Sequence, residues 1–189
     1  MNIFVVDENP VNAARDLCDK HVVKMILESA QMLSTAHRVL DGSFYYREGK
    51  NGRKIPSYVH PSSVWNERLL LATMMNHPCT RWAMENTDNY YWLFSHGLEL
   101  CREYTRRYNK THALHNLYDN FLFSIPLRIK HGSLTPFAQA MPDQYKCPDA
   151  VQAYRNYYVN EKARFAKWKN SEVPDWYLDM TVGAGTMVA

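Results

Sequence analysis

The stretch from Asn9-Pro10 to Asp41-Gly42 restricts the fold more than any other part of the chain. Asn9 offers a capping oxygen and Pro10 suits the first helical position, so a helix is expected to begin there. Asp41-Gly42 closes it with turn chemistry, and a break near Leu17 is allowed by the pattern. Within this stretch Val22, Val23, Ile26, Leu27, Ala30 and Leu33 gather on one side as an apolar stripe. His21, Lys24, Glu28 and Gln31 fall in a row on the roughly opposite side, because residues three, four and seven apart line up on a helix. A long helix with one apolar face must pack against other elements, and a mainly α fold is expected.

The remaining signals agree with that expectation. Residues 2–6 read as a short extended piece, and Asn51-Gly52 between aromatic flanks marks a small β-hairpin or ordered loop over residues 43–59. His60-Pro61-Ser62-Ser63 opens a helix to about Met75, and His77-Pro78-Cys79-Thr80 opens a short one. Thr87-Asp88-Asn89 caps a long helix to about Tyr108, followed by a helical stretch near residues 112–123. Pro126, Pro136, Pro142 and Pro148 make the segment 124–148 irregular. Asp149 caps a helix from Ala150 to about Lys169, and the Gly-rich TVGAGTMVA end is expected to be loose. With no repeat and no linker, residues 1–189 are expected to form one compact helical domain.

Composition removes several function classes. No window approaches the roughly 18 apolar residues of a membrane span. The start MNIFVVDENP lacks a secretion signal, and Cys18, Cys79, Cys101 and Cys147 form no ladder, so a reducing, cytoplasmic setting is expected. Eight histidines include no HExxH or Cys/His spacing, and no phosphate loop or GxSxG is present, so no metal or cofactor is expected. A net charge of +3 permits nucleic-acid binding without requiring it. The cationic runs Arg102 to Lys110 and Arg155 to Lys169 are either solvated helix faces or tracks for phosphates. Tyr154, Tyr157, Tyr158, Phe165 and Trp168, interleaved with the second run, are either core or stacking platforms.

The His21, Lys24, Glu28 row has two readings. In one, Lys24 and Glu28 form an exposed pair worth a few tenths of a kcal/mol and His21 is a bystander. In the other, an acid, a base and an amine share one face, as acid–base or imine chemistry requires, with His37 and Arg38 further along the same helix.

Leu17-Cys18-Asp19-Lys20-His21, six residues, then Glu28 resembles the first helix of the phage endonuclease V family, the pyrimidine-dimer DNA glycosylases and AP lyases. Asn76-His77-Pro78-Cys79-Thr80-Arg81-Trp82 and the stretch from Leu98 to Tyr108 are similar to further segments of that family, in the same order. The resemblance implies an all-α, monomeric enzyme, in a host cytoplasm if of phage origin, acting on damaged or modified double-stranded DNA. An amine attacks C1′, an imine forms, and β-elimination cleaves the strand, so the expected activity is that of an N-glycosylase with or without this AP-lyase step. It implies a catalytic set of Glu28, His21, Lys24 and Asn2, and DNA contacts by His37, Arg38, His77, Arg81, Arg106, Arg107 and Arg155. The attacking amine stays open between Met1, a processed Asn2 and Lys24, because Asn2 stands where the family has a small residue freed of methionine. Leu27 replaces the arginine that precedes the family's glutamate, and the C-terminal third lies outside the resemblance. A non-catalytic binding module and an enzyme of free nucleotides are the alternatives.

Overall fold

Two long helices packed against each other and the segments that cap them carry the architecture in the computed structural model, which describes residues 1–182. Asn9 caps α1 (Pro10–Asp16) by accepting from the amides of Val11 and Asn12. The chain then breaks at Leu17, which is extended and fully buried, before α2 (Asp19–Asp41) begins. α2 packs against α5 (Thr87–Tyr108), which also packs on α1. Asn86 caps α5 by accepting from Asp88 and Asn89, and Asn109 ends it with a left-handed φ of 52°. Gly97 is where Tyr118 crosses α5: a Cβ there would lie 2.5 Å from the ring, whose hydroxyl donates to the carbonyl of Ile26 on α2 at 2.8 Å.

Between the long helices lie the hairpin and two short helices. β1 (Ser43–Glu48) pairs antiparallel with β2 (Lys54–Val59), Ser43 opposite Val59 and Glu48 opposite Lys54. Asn51 and Gly52 turn the chain with φ of 69° and 72°, the conformation that an Asn-Gly pair adopts at least cost. α3 (Ser63–Arg68) stops well short of Met75. Its would-be continuation is captured by α2: Arg38 donates to the carbonyls of Asn66, Leu69 and Leu70, and Thr73 is held by Thr35. α4 (Pro78–Ala83) begins at His77, whose Nδ1 accepts from the amide of Cys79.

The C-terminal part returns across the face of α2. α6 (His115–Leu117) runs into a π turn at Tyr118–Leu122, and residues 124–148 are irregular apart from a 3₁₀ turn at Asp143–Tyr145. Asp149 caps α7 (Ala150–Glu161) through the amide of Gln152. This helix ends eight residues before Lys169, because the following chain is pulled onto the start of α2, where Asp19 binds the carbonyl of Lys167 and the amide of Lys169. α8 (Asp175–Val182) was not expected from the pattern; Trp176 ties it to Asp16 at 2.8 Å. Thr181 and Val182 thus close a helix, and the rest of the Gly-rich end lies outside the described residues.

Two sequence expectations need correction. Val23 and Leu27 are 40% and 43% exposed, whereas His21 is only 4% exposed. The buried stripe of α2 is instead Val22, Met25, Ile26, Ala30, Met32 and Leu33, because the side carrying His21 is itself covered by the N-terminal segment and the chain after α7. Residues 2–6 pair with no strand: Val6 donates back to the Phe4 carbonyl in a tight turn, and Phe4 takes a φ of 39°. Among the described residues no helix is long and apolar enough to cross a membrane. All four cysteine thiols are free.

Candidate active site at the start of the chain

The tight turn at residues 2–6 exists because its side chains satisfy it internally. Asn2 Oδ1 accepts from the amides of Ile3 and Phe4, and Asn2 Nδ2 donates to the carbonyl of Ala140 at 2.8 Å. Ile3, Val5 and Val6 are fully buried, so this segment is fixed as part of the core. Its first residues are thereby held against the middle of α2. The Asn2 amide donates to Glu28 Oε2 at 2.9 Å, and the terminal amine at Met1 is 3.8 Å from the same oxygen. Lys24 Nζ approaches Glu28 Oε1 at 3.2 Å.

These groups open into a cleft of about 590 Å³. Phe4, His21, Tyr157 and Phe165 form its apolar walls, and Lys20, Lys24, Lys162 and Arg164 supply its charge. Glu28 is the one carboxylate among the lining residues, and its side chain is 13% exposed. A single carboxylate ringed by cations makes an anion-attracting site with one proton-handling group at its base.

His21 stacks on Phe4 at 4.3 Å between ring centres, and its Nδ1 lies 2.9 Å from the hydroxyl of Tyr158. Burial, reinforced by Lys162, Lys24 and Lys20, pushes its pKa down to about 3, so the ring is neutral near pH 7. His77 caps α4 nearby. Burial and the terminal amine lower its pKa, while Glu28 acts in the opposite sense, which ties the ring electrostatically to the same carboxylate.

Of the residues singled out in the sequence, Glu28, His21, Lys24 and Asn2 therefore meet in one cleft, with His77 beside it. Arg81 is exposed on α4. Others are placed elsewhere. Arg38 is buried with all its nitrogens donating to Tyr58, Asn66, Leu69 and Leu70. Arg107 is buried between Glu103, Asp19 and the carbonyl of Arg15. His37 is buried against Tyr90 and Trp65. These three are occupied internally and turned away from solvent. Arg106 and Arg155 border a second hollow of about 1180 Å³. That hollow is larger, yet its arginines are already matched: Arg15 and Arg102 by Glu99, Arg106 by Glu103, and Arg155 by the Val6 carbonyl and the Trp176 ring. In the smaller cleft Lys20, Lys162 and Arg164 have no ion-pair partner among the described residues.

Sequence reasoning missed most of the far wall. Lys162 and Arg164 belonged to a visible cationic run, and Lys20 stood beside His21, but nothing local linked them to Glu28. Lys162 donates to the Tyr157 hydroxyl at 2.9 Å, and Lys20 lies 4.9 Å over the ring of Phe165, so aromatic faces hold these cations in place.

Residues 1–116 match the family model described as pyrimidine dimer DNA glycosylase. The match spans α1 to α5, with Met1, Asn2, His21, Lys24, Glu28 and His77 inside it and Tyr157, Lys162, Arg164 and Phe165 beyond it. No curated protein and no solved structure matches the chain.

Proposed function

The chain belongs to the pyrimidine dimer DNA glycosylase family, and on that footing we propose that the Glu28 cleft is the site of an N-glycosylase that also cleaves the strand as a lyase on damaged or modified duplex DNA. The observation that carries this reading is the convergence of the terminal amine, the Asn2 amide and Lys24 on the one carboxylate of a cation-lined cleft. DNA is the family's substrate, and the cationic rim suits its phosphates. A nucleotide extruded from the stack brings its C1′ to the base of the cleft.

The amine at residue 1 is the nucleophile in this scheme. Its lone pair attacks C1′, and the bond from C1′ to the base breaks with its electron pair leaving on the base, which takes up a proton. The secondary amine then opens the sugar to an imine. Loss of a C2′ proton expels the 3′ phosphate by β-elimination, and water later releases the amine. Glu28 stabilises the positive charge that develops on the sugar and relays the protons. Neutral His21 and the Asn2 side chain hold the floor of the cleft in place. The difference in exposure favours the chain terminus over Lys24. The Met1 side chain is 4% exposed and held within the fold, whereas that of Lys24 is 65% exposed and tied only by its ion pair to Glu28.

The test is incubation with duplexes bearing a cyclobutane dimer or an abasic site in the presence of borohydride. A trapped adduct whose peptide map places DNA on the N-terminal peptide is the expected result, with base release lost in Glu28→Gln. No adduct and no base release from any such duplex, in a folded protein, would remove the assignment. An adduct mapped to Lys24 would move the nucleophile but keep the site.

A further inference from the structure

We propose that His37, Asp41 and His60 form a binding site for one divalent transition-metal ion of the zinc type, at the root of the hairpin. One ligand atom from each lies within 4.8 Å of the other two. His37 and Asp41 stand one turn apart on α2, the spacing that puts two side chains on a single face. His60 directly follows β2, and its amide donates to Asn66 Oδ1 at 3.0 Å.

The hydrogen bonds around His37 fix its tautomer. Its Nε2 faces the carbonyl of Ser124 at 3.1 Å and the hydroxyl of Tyr90 at 2.9 Å. The Tyr90 hydroxyl spends its own proton on the carbonyl of Leu122, so both neighbours act as acceptors toward the ring. Nε2 therefore carries the hydrogen, and Nδ1 is left with a free lone pair. A ring nitrogen donating to a backbone carbonyl while the other binds the ion is the usual outer arrangement of a metal-bound histidine.

Asp41 supplies the second argument. Its carboxylate is 8% exposed, and its two oxygens accept only the amides of Leu127 and Arg128, at 2.8 and 2.9 Å. Among the described residues no lysine or arginine is ion-paired with it. A buried carboxylate between two imidazoles lacks a counter-charge, which a cation would supply. Each oxygen keeps a second lone pair for it. His60 is the third ligand: its Nδ1 accepts from the Ser62 amide at 3.2 Å, and its Nε2 makes no hydrogen bond among the described residues. Two imidazoles and one carboxylate suit zinc and its neighbours better than magnesium or calcium, and three protein ligands leave a fourth position for water. The ion would clamp the end of α2, the end of β2 and the loop at 124–128 together. The site stands nine residues along α2 from Glu28, and does not depend on the proposed DNA chemistry.

The experiment is calorimetric titration of chelator-treated, dialysed protein with Zn²⁺, with Co²⁺ absorption as a check on the coordination sphere. One saturable equivalent and visible Co²⁺ bands are expected, with affinity at least about tenfold weaker in His60→Ala and Asp41→Asn. Absence of saturable binding in the wild-type protein overturns the proposal. So does binding of unchanged affinity in His60→Ala, the milder change at a half-buried residue, which carries the comparison should Asp41→Asn fail to fold.

Discussion

At the scale of single residues, Glu28 is held from two sides by unlike groups, and the two can be separated by substitution. Lys24 reaches it from an exposed position, so Lys24→Met should cost less than about 1 kcal/mol of stability in a urea melt. If the attacking amine is at the chain terminus, that variant still forms the borohydride adduct. Glu28→Gln keeps nearly the same shape but cannot carry the charge, and single-turnover base release should fall by roughly 10²-fold or more. The Lys24–Glu28 relation was visible in the sequence because helical spacing alone creates it. The approach of Met1 and Asn2 was not, since it depends on Asn2 turning its own chain and anchoring to Ala140 across the molecule. For the same reason the cationic wall of Lys162 and Arg164 could be seen as a run but not assigned to Glu28.

At the scale of elements, caps and turns proved readable and lengths less so. Asn9-Pro10, Asn51-Gly52, His77-Pro78 and Asp149 each mark a boundary that local chemistry decides, and each stands where the sequence puts it. The helix after Ser63 is shorter than its sequence predicts because residues 69–75 have helical composition, but carbonyls among them are claimed by side chains of α2. Arg38 is the principal claimant, and replacing it tests that account. Arg38→Met leaves several buried carbonyls without donors and should cost roughly 2–3 kcal/mol or more. Amide hydrogen exchange should quicken across residues 60–77 before it does in α5. Gly97 offers a second test on the α2–α5 pair. Gly97→Ala drives a methyl group into the Tyr118 ring, which cannot withdraw without breaking its bond to Ile26. The helix-propensity gain of alanine, about 1 kcal/mol, is expected to be outweighed, and the melting temperature to fall.

At the scale of the whole molecule, the buried histidines set how the fold responds to acid. Burial lowers His21 and His96 to a pKa of about 3 and His37 to about 4, against an ordinary value of 6.5. Each therefore stays unprotonated in the folded chain while the unfolded chain takes up a proton. Stability is complete above about pH 6.5 and is lost as pH falls from there toward 3. With three protons involved, the slope approaches roughly 4 kcal/mol per pH unit. That is steep against the 5–15 kcal/mol typical of a domain. His96 isolates one of these contributions without touching the Glu28 cleft. It is fully buried, neither ring nitrogen has a hydrogen-bond partner, and it stacks on Trp92 at 5.2 Å. His96→Phe keeps the stack and removes two unpaired polar atoms. Urea melts between pH 4 and 7.5 should show a more stable protein at pH 7 and an acid slope reduced by about a third. An unchanged slope would mean that His96 reaches a proton acceptor or water within the fold, and that the acid limb has its origin elsewhere.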